Sequence, residues 1–209
     1  MNIFELRCPE MREAMRLWWD GLKYRQENDN FIYMDEYIFH TQGVAFASRA
    51  IAGNIKGLNP ETAYICGLLH DYGKKYNEKK IGQFHGLVGY KELMSLGWER
   101  PARTCLTHTF PEKNIILDDY PSYPQKDLLE TQKILNDVVF DEYDRIVQFA
   151  DRLFEGLSMI PFEERAKAIG KRYGLKQDIV QKLINTGQAL KEELSGLCEK
   201  DVYEILGLK

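Results

Sequence analysis

Apolar residues recur every three or four positions along nearly the whole chain, and strict polar–apolar alternation is almost absent, which predicts helices rather than strands. In "PEMREAMRLWWDGLKYRQE" Met11, Met15, Trp18, Trp19 and Leu22 fall at helical intervals, with Pro9 placed for a helix start. "DEYIFHTQGVAFASRAIAGNIKGL" repeats the pattern through Ile38, Val44, Ala45, Ala52 and Ile55, and is expected to stop at Gly57. "NPETAYICGLLHDYG" carries the strongest start signal: Asn59 as N-cap, proline in the first helical position and glutamate in the first turn, with Gly73 expected to terminate it. Two shorter helices follow in "FHGLVGYKELMSLG" and "WERPARTCLTHTF", separated at Gly97. Helices resume in "DLLETQKILNDVVF" and "DEYDRIVQFADRLFEGLSM", and the chain after Pro161 reads as two or three more. Between them "PEKNIILDDYPSYPQK", with three prolines and two adjacent aspartates, predicts an irregular excursion of the kind that often lies over a site, or a plain connecting loop.

The expectation is an all-α protein forming one domain over residues 1–209, with a core at about 30–155 and a C-terminal helical extension at about 161–209. Four fewer Lys and Arg than Asp and Glu leave a net charge of −4, which argues against a nucleic-acid polymer as partner, since backbone binding needs surplus cations. A small anionic substrate stays open. No leader-like or membrane-spanning run occurs in the sequence, so a cytoplasmic protein without a membrane partner is expected. Cys8, Cys66, Cys105 and Cys198 form no CxxC pair and read as reduced thiols, Cys66 and Cys105 in the core.

Chemistry concentrates in the histidines. His40, His70, His85 and His108 fall within one third of the chain, each inside or at the edge of a different predicted helix. Side chains from separate helices can converge inside a bundle, which is how helical proteins build metal sites. His70 and Asp71 directly follow the apolar run of their helix; at a helix end the backbone can turn, so both can reach one ion or two neighbouring ions. A carboxylate has two oxygens and can bridge two cations, which makes Asp71 the natural bridge. Asp151 sits among Phe149, Ala150, Leu153 and Phe154, where a carboxylate needs a cation, an arginine or several donors. Taken alone, His40 reads as a hydrogen-bonded core or surface histidine more readily than as a ligand.

The ordered set His40, His70-Asp71, His85, His108 and Asp151, with the wording "GLLHDYGK" and "QFADRL", resembles the HD-domain superfamily of metal-dependent phosphohydrolases in its two-metal variant, over roughly residues 30 to 155. The resemblance implies an HD-like helical bundle in which His40, His70, Asp71 and Asp151 hold a first metal and Asp71, His85 and His108 a second, with a bridging water or hydroxide. Four imidazoles against two carboxylates favour divalent transition metals, iron or manganese first, then nickel, cobalt or zinc, over magnesium or calcium.

Such a site breaks phosphate esters, so the expected function is phosphohydrolysis of a nucleotide or another small phosphorylated metabolite. Lys74, a turn beyond His70, is the candidate catalytic cation for non-bridging phosphate oxygens. Lys75, Lys79 and Lys80 read as a solvated loop more readily than as an anion funnel, and Arg103 and Arg152 are second-line candidates. "GY" at Gly89 and Tyr90 is followed by lysine, so the "GYP" triad of cyclic-dinucleotide phosphodiesterases is missing. Two alternatives stand beside hydrolysis. One is a di-iron oxygenase of the same superfamily, for which Tyr33, Glu36 and Tyr37 are available. The other is a non-catalytic module that senses a nucleotide or metal and signals through the C-terminal helices.

Overall fold

A computed structural model describes residues 6–28 and 34–208. The protein is all-α, as the periodicity predicts; β structure among the described residues is one two-stranded hairpin. Contacts divide the chain into two compact units, one made of the residues before 33 and Leu68–Val139, the other of Tyr33–Gly67 and the residues from Phe140 onward. No helix among the described residues is long and apolar enough to cross a membrane.

The first unit contains α1 (Met11–Glu27), a 3₁₀ turn at Tyr72–Lys75, α4 (Glu78–Ile81), α5 (His85–Ser95), α6 (Glu99–Thr107) and α7 (Gln125–Asp137). The helix α3 (Pro60–Leu69) enters it with Leu68 and Leu69. Its core takes Trp18 and Leu22 from α1, Leu87 and Leu93 from α5, Cys105 and Leu106 from α6, and Leu128 and Leu135 from α7. Helices α5 and α6 form an antiparallel hairpin closed at Gly97, whose φ of +81° a side chain rarely tolerates.

Gly73 does not end a helix as expected. Helix α3 stops at Leu69, and Gly73 lies inside the 3₁₀ turn without a positive φ. What requires glycine there is contact: a Cβ at Gly73 would sit 2.0 Å from the His85 carbonyl oxygen and 2.8 Å from the Gly89 nitrogen. The turn after His70 and Asp71 is thus pressed directly onto the first turn of α5.

The second unit contains α2 (Met34–Ala52), α3 as far as Gly67, α8 (Glu142–Asp151), the hairpin strands β1 (Phe154–Glu155) and β2 (Ser158–Met159), α9 (Phe162–Tyr173), α10 (Gln177–Cys198) and α11 (Val202–Leu206). Asn59 caps α3 as predicted, its Oδ1 accepting from the Glu61 and Thr62 amides at 2.8 and 3.4 Å. Asp141 and Asp144 form a reciprocal capping box on α8. Phe162, Leu190, Leu194 and Val202 of the C-terminal helices are buried in one cluster with Val44 and Ile51 of α2 and Ile146, Val147 and Phe149 of α8, so these helices pack on the same core as α2 and α8.

Two further boundaries differ from expectation. Helix α2 ends at Ala52 rather than Gly57, because the Asn54 amide and side chain bond back to Ile51 and Ala50 and convert the continuation into tight turns. Helix α8 ends at Asp151, and "FEGLSM" folds into the β1–β2 hairpin, pairing Phe154 with Met159 around Gly156 at φ +55°. A six-residue segment with glycine at a left-handed turn is too short for periodicity to distinguish from a helix end. No disulfide forms among the described residues, and Cys66 and Cys105 are fully buried, each in a different unit.

Candidate metal centre

Helix α3 is apolar up to Leu69 because it runs through the core, and its end delivers His70 and Asp71 into the interior at 0% and 1% exposure. The 3₁₀ turn that follows returns the Lys74 amide to the Asp71 carbonyl at 2.8 Å. Neighbouring groups fix that turn: Arg25 of α1 donates to the Lys74 carbonyl, and Lys75 is buried over the Tyr72 ring with its ammonium on Glu92. Lys75 is therefore neither a solvated lysine nor part of an anion funnel. Lys80 is exposed, and the Lys79 side chain lies outside what the structure describes.

Asp71 presents its two oxygens to different neighbours. Oδ1 lies 3.3 Å from His85 Nε2 and 3.5 Å from His108 Nε2, whereas Oδ2 lies 3.5 Å from His70 Nε2 and accepts from Lys74 Nζ at 2.7 Å. Burial alone would raise this carboxyl's pKa; the Lys74 ammonium, then the imidazoles of His70 and His85, overcome that and hold it well below the usual carboxylate range.

His85 opens α5 and His108 follows the last residue of α6. The first N–H groups of α5 need acceptors, and Phe84 at the N-cap position has no side chain to supply one. Two carboxylates from other segments do so. Asp127 Oδ2 accepts from the Phe84 amide at 2.7 Å, and Glu78 Oε1 accepts from the His85 amide at 2.9 Å. The same Glu78 oxygen lies 2.7 Å from His85 Nδ1, and His108 Nδ1 lies 3.2 Å from the Thr104 carbonyl. Burial opposes a charge on Glu78 and, with the Lys74 ammonium, on His85; the hydrogen bond from His85 still lowers the Glu78 pKa, and hydrogen bonds to Asp71 and then Glu78 raise that of His85.

A carbonyl and a carboxylate only accept, so both Nδ1 atoms donate, and each ring in its neutral form turns an Nε2 lone pair inward. The two Nε2 atoms are 3.3 Å apart, and both face Asp71 Oδ1. The Thr109 hydroxyl, 3.1 Å from His108 Nε2, can donate to that nitrogen. The contact between His85 Nε2 and the carboxylate oxygen remains one of two acceptors, which only a proton or a cation between them makes favourable. Asp71, His85 and His108, all buried, bring these ligand-competent atoms within 4.8 Å of one another. The donor set fits a divalent transition metal: two imidazoles oriented by hydrogen bonds at their far nitrogens, and a carboxylate that stays ionised.

In the second unit His40 of α2 and Asp151, the last residue of α8, adjoin, with Nε2 to Oδ1 at 3.1 Å. Asp151 is less buried than its apolar flanks suggest, its side chain being 26% exposed. A carboxylate at a helix C-terminus opposes the helix dipole and needs a cationic or donating partner. Arg152, a second-line candidate for the substrate's charge, donates to the Gln148 carbonyl. Tyr33 lies outside the described residues, and Glu36 is exposed.

Glu78 and Asp127 escape a reading of the sequence, since neither belongs to the ordered motif and each meets α5 only through the tertiary fold. The excursion at 111–124 does come close to His85: Tyr123 lies 6.0 Å from its ring, centroid to centroid.

The HD domain model matches residues 37–155. No curated protein and no solved structure matches the chain. Because that match takes in more than half of the 209 residues, along with every histidine and aspartate of the ordered motif, the chain belongs to the HD-domain family, whose superfamily consists mostly of metal-dependent hydrolases and binds divalent metal.

Proposed function

We propose that this protein is a metal-dependent phosphohydrolase acting on a nucleotide or another small phosphorylated metabolite. The observation that carries the reading is the inward-facing acceptor set of Asp71 Oδ1, His85 Nε2 and His108 Nε2, with the Lys74 ammonium beside it. Asp71, His85 and His108 would hold one ion. His70 and Asp71 would contribute to a second, which the motif completes with His40 and Asp151. Iron and manganese are the first choices for a nitrogen-rich donor set, followed by nickel, cobalt and zinc.

Bound divalent cations supply Lewis acidity, which makes water a nucleophile at neutral pH and offsets charge on phosphoryl oxygens. The chain's own residues do the rest. Asp71, already ionised, turns one oxygen toward His85 and His108 and the other toward His70 and Lys74, which keeps the imidazoles oriented. Glu78 and Thr104 hold His85 and His108 in the ligating tautomer. Lys74, with its side chain 37% exposed, can turn from Asp71 Oδ2 to a non-bridging phosphate oxygen. Lys74→Met is accordingly expected to lower kcat/KM about 10- to 100-fold, roughly 1.4 to 2.8 kcal/mol, with bound metal undiminished. Steady-state kinetics paired with elemental analysis checks both halves.

Glu78 acts through His85 and is a positioning residue. Glu78→Ala is expected to weaken metal affinity by about 10- to 100-fold, and Glu78→Gln, which still accepts from Nδ1, by less. Competition titration with a chromogenic chelator gives both values, and an unchanged affinity in Glu78→Ala would remove the role.

The function itself is tested by loading the protein with manganese, iron, cobalt or nickel and assaying phosphate release from nucleotides and sugar phosphates. Metal-dependent release is the expected result. Oxygen consumption without phosphate release would replace hydrolysis with oxygenation, and nucleotide binding without turnover would replace it with sensing.

A further inference from the structure

The excursion over 111–124 is more ordered than a connecting loop needs to be. Gln132 of α7 clamps one end, its Oε1 accepting from the Ile115 amide at 2.7 Å and its Nε2 donating to the Lys113 carbonyl at 2.8 Å. At the other end Pro121 and Pro124 restrict the backbone of "YPSYP", and the Tyr123 amide turns back onto the Tyr120 carbonyl at 3.1 Å. Four rings are assembled there. Phe84 and Phe110, at 0% and 1% exposure, form a floor with centroids 5.5 Å apart. Tyr123 rests on Phe84 at 4.6 Å and Tyr120 meets Phe110 edge-on at 5.0 Å. The two tyrosines are partly exposed and nearly parallel, 18° between planes and 6.3 Å between centroids.

A core does not require this upper layer: the buried phenylalanines already close the floor, and two parallel, partly exposed tyrosines, Tyr123 beside His85 and Tyr120 next to it, keep aromatic area in contact with water. Flat, aligned rings next to a phosphate-handling site suit a flat partner, because base–aromatic stacking is favourable for any base and tolerant of its identity. Resting on the phosphohydrolase reading, we propose that Tyr120 and Tyr123 form the platform on which the purine or pyrimidine ring of a nucleotide substrate stacks while its phosphate lies at the metal centre. The substrate class is then a nucleotide and not a sugar phosphate.

The test measures binding, so that it does not depend on turnover. Calorimetric titrations of the manganese-loaded protein compare the non-hydrolysable phosphonate analogue of adenosine 5′-monophosphate with ribose 5-phosphate. The nucleotide analogue is expected to bind at least about tenfold more tightly. Tyr120→Leu/Tyr123→Leu should bring the ratio of the two affinities to within about twofold of one, and Tyr123→Phe, which keeps the ring, should retain the preference. Equal affinity of the unmutated protein for the two ligands overturns the platform even if the double variant fails to fold; so does a double variant that folds and keeps the preference. Phosphate release is followed separately: a base preference without release leaves the platform standing and removes the hydrolase reading, whereas release without a base preference does the reverse.

Discussion

Asp71→Ala is expected to abolish stoichiometric metal binding and to reduce phosphate release by about a thousandfold or more, roughly 4 kcal/mol of transition-state stabilisation. The size of the effect follows from how many groups depend on this one carboxylate. His85 and His108 share Oδ1, while His70 and Lys74 adjoin Oδ2. Removing it places a lysine ammonium next to imidazoles with no anion between them, so cations are repelled as well as deprived of a ligand. Asp71→Asn separates the two causes, since the amide retains shape and one acceptor but loses the charge. It is expected to lose turnover as completely while folding normally by circular dichroism. Elemental analysis and phosphate assay read both variants, and turnover that persisted in either would move the metal centre elsewhere.

The second large effect is expected at Gly73, which touches no ligand through a side chain. A methyl group there would overlap the His85 carbonyl and the backbone of Gly89, neither of which can retreat without moving the first turn of α5. Gly73→Ala should therefore destabilise the protein by about 3 kcal/mol, at the upper end of overpacking costs. For a chain of this size that is a fall in Tm of roughly 6 to 12 °C. Metal affinity should fall with it, because the displaced turn carries His85. Gly196 is the control. It lies in α10 with nothing within 4 Å of where a methyl group would sit, so Gly196→Ala should be neutral or stabilise by up to about 1 kcal/mol through helix propensity alone. Calorimetric melting of the two variants distinguishes a packing requirement from a general cost of replacing glycine. Equal shifts would sink the argument.

The parts of the site differ in how legible they were. Helix class, and the placing of each histidine inside or at the edge of a different helix, could be read in advance, because apolar spacing, Asn59 with Pro60, and the break after Leu69 are local signals. The hairpin after Asp151 was not legible, since it is too short to establish a period, and neither was the true role of Gly73, whose constraint comes from a helix twelve residues further on. Lys75 shows the same limit in charge: a lysine in a basic run reads as solvated, yet Glu92 of α5 takes its ammonium and the flanking Tyr72 and Tyr76 rings lie under it.

By itself, the sequence determined that this is a helical protein and which imidazoles and carboxylates make up the ordered family motif, because residue type, order and helical period are properties of the chain taken a few residues at a time. Only the tertiary structure decided which nitrogen of His85 and His108 faces inward, how the two oxygens of Asp71 are divided, and that Glu78 and Asp127 anchor the start of α5. Those outcomes depend on directional contacts between residues far apart along the chain, and hydrogen-bond geometry acts through space, leaving no periodic trace in the order of amino acids.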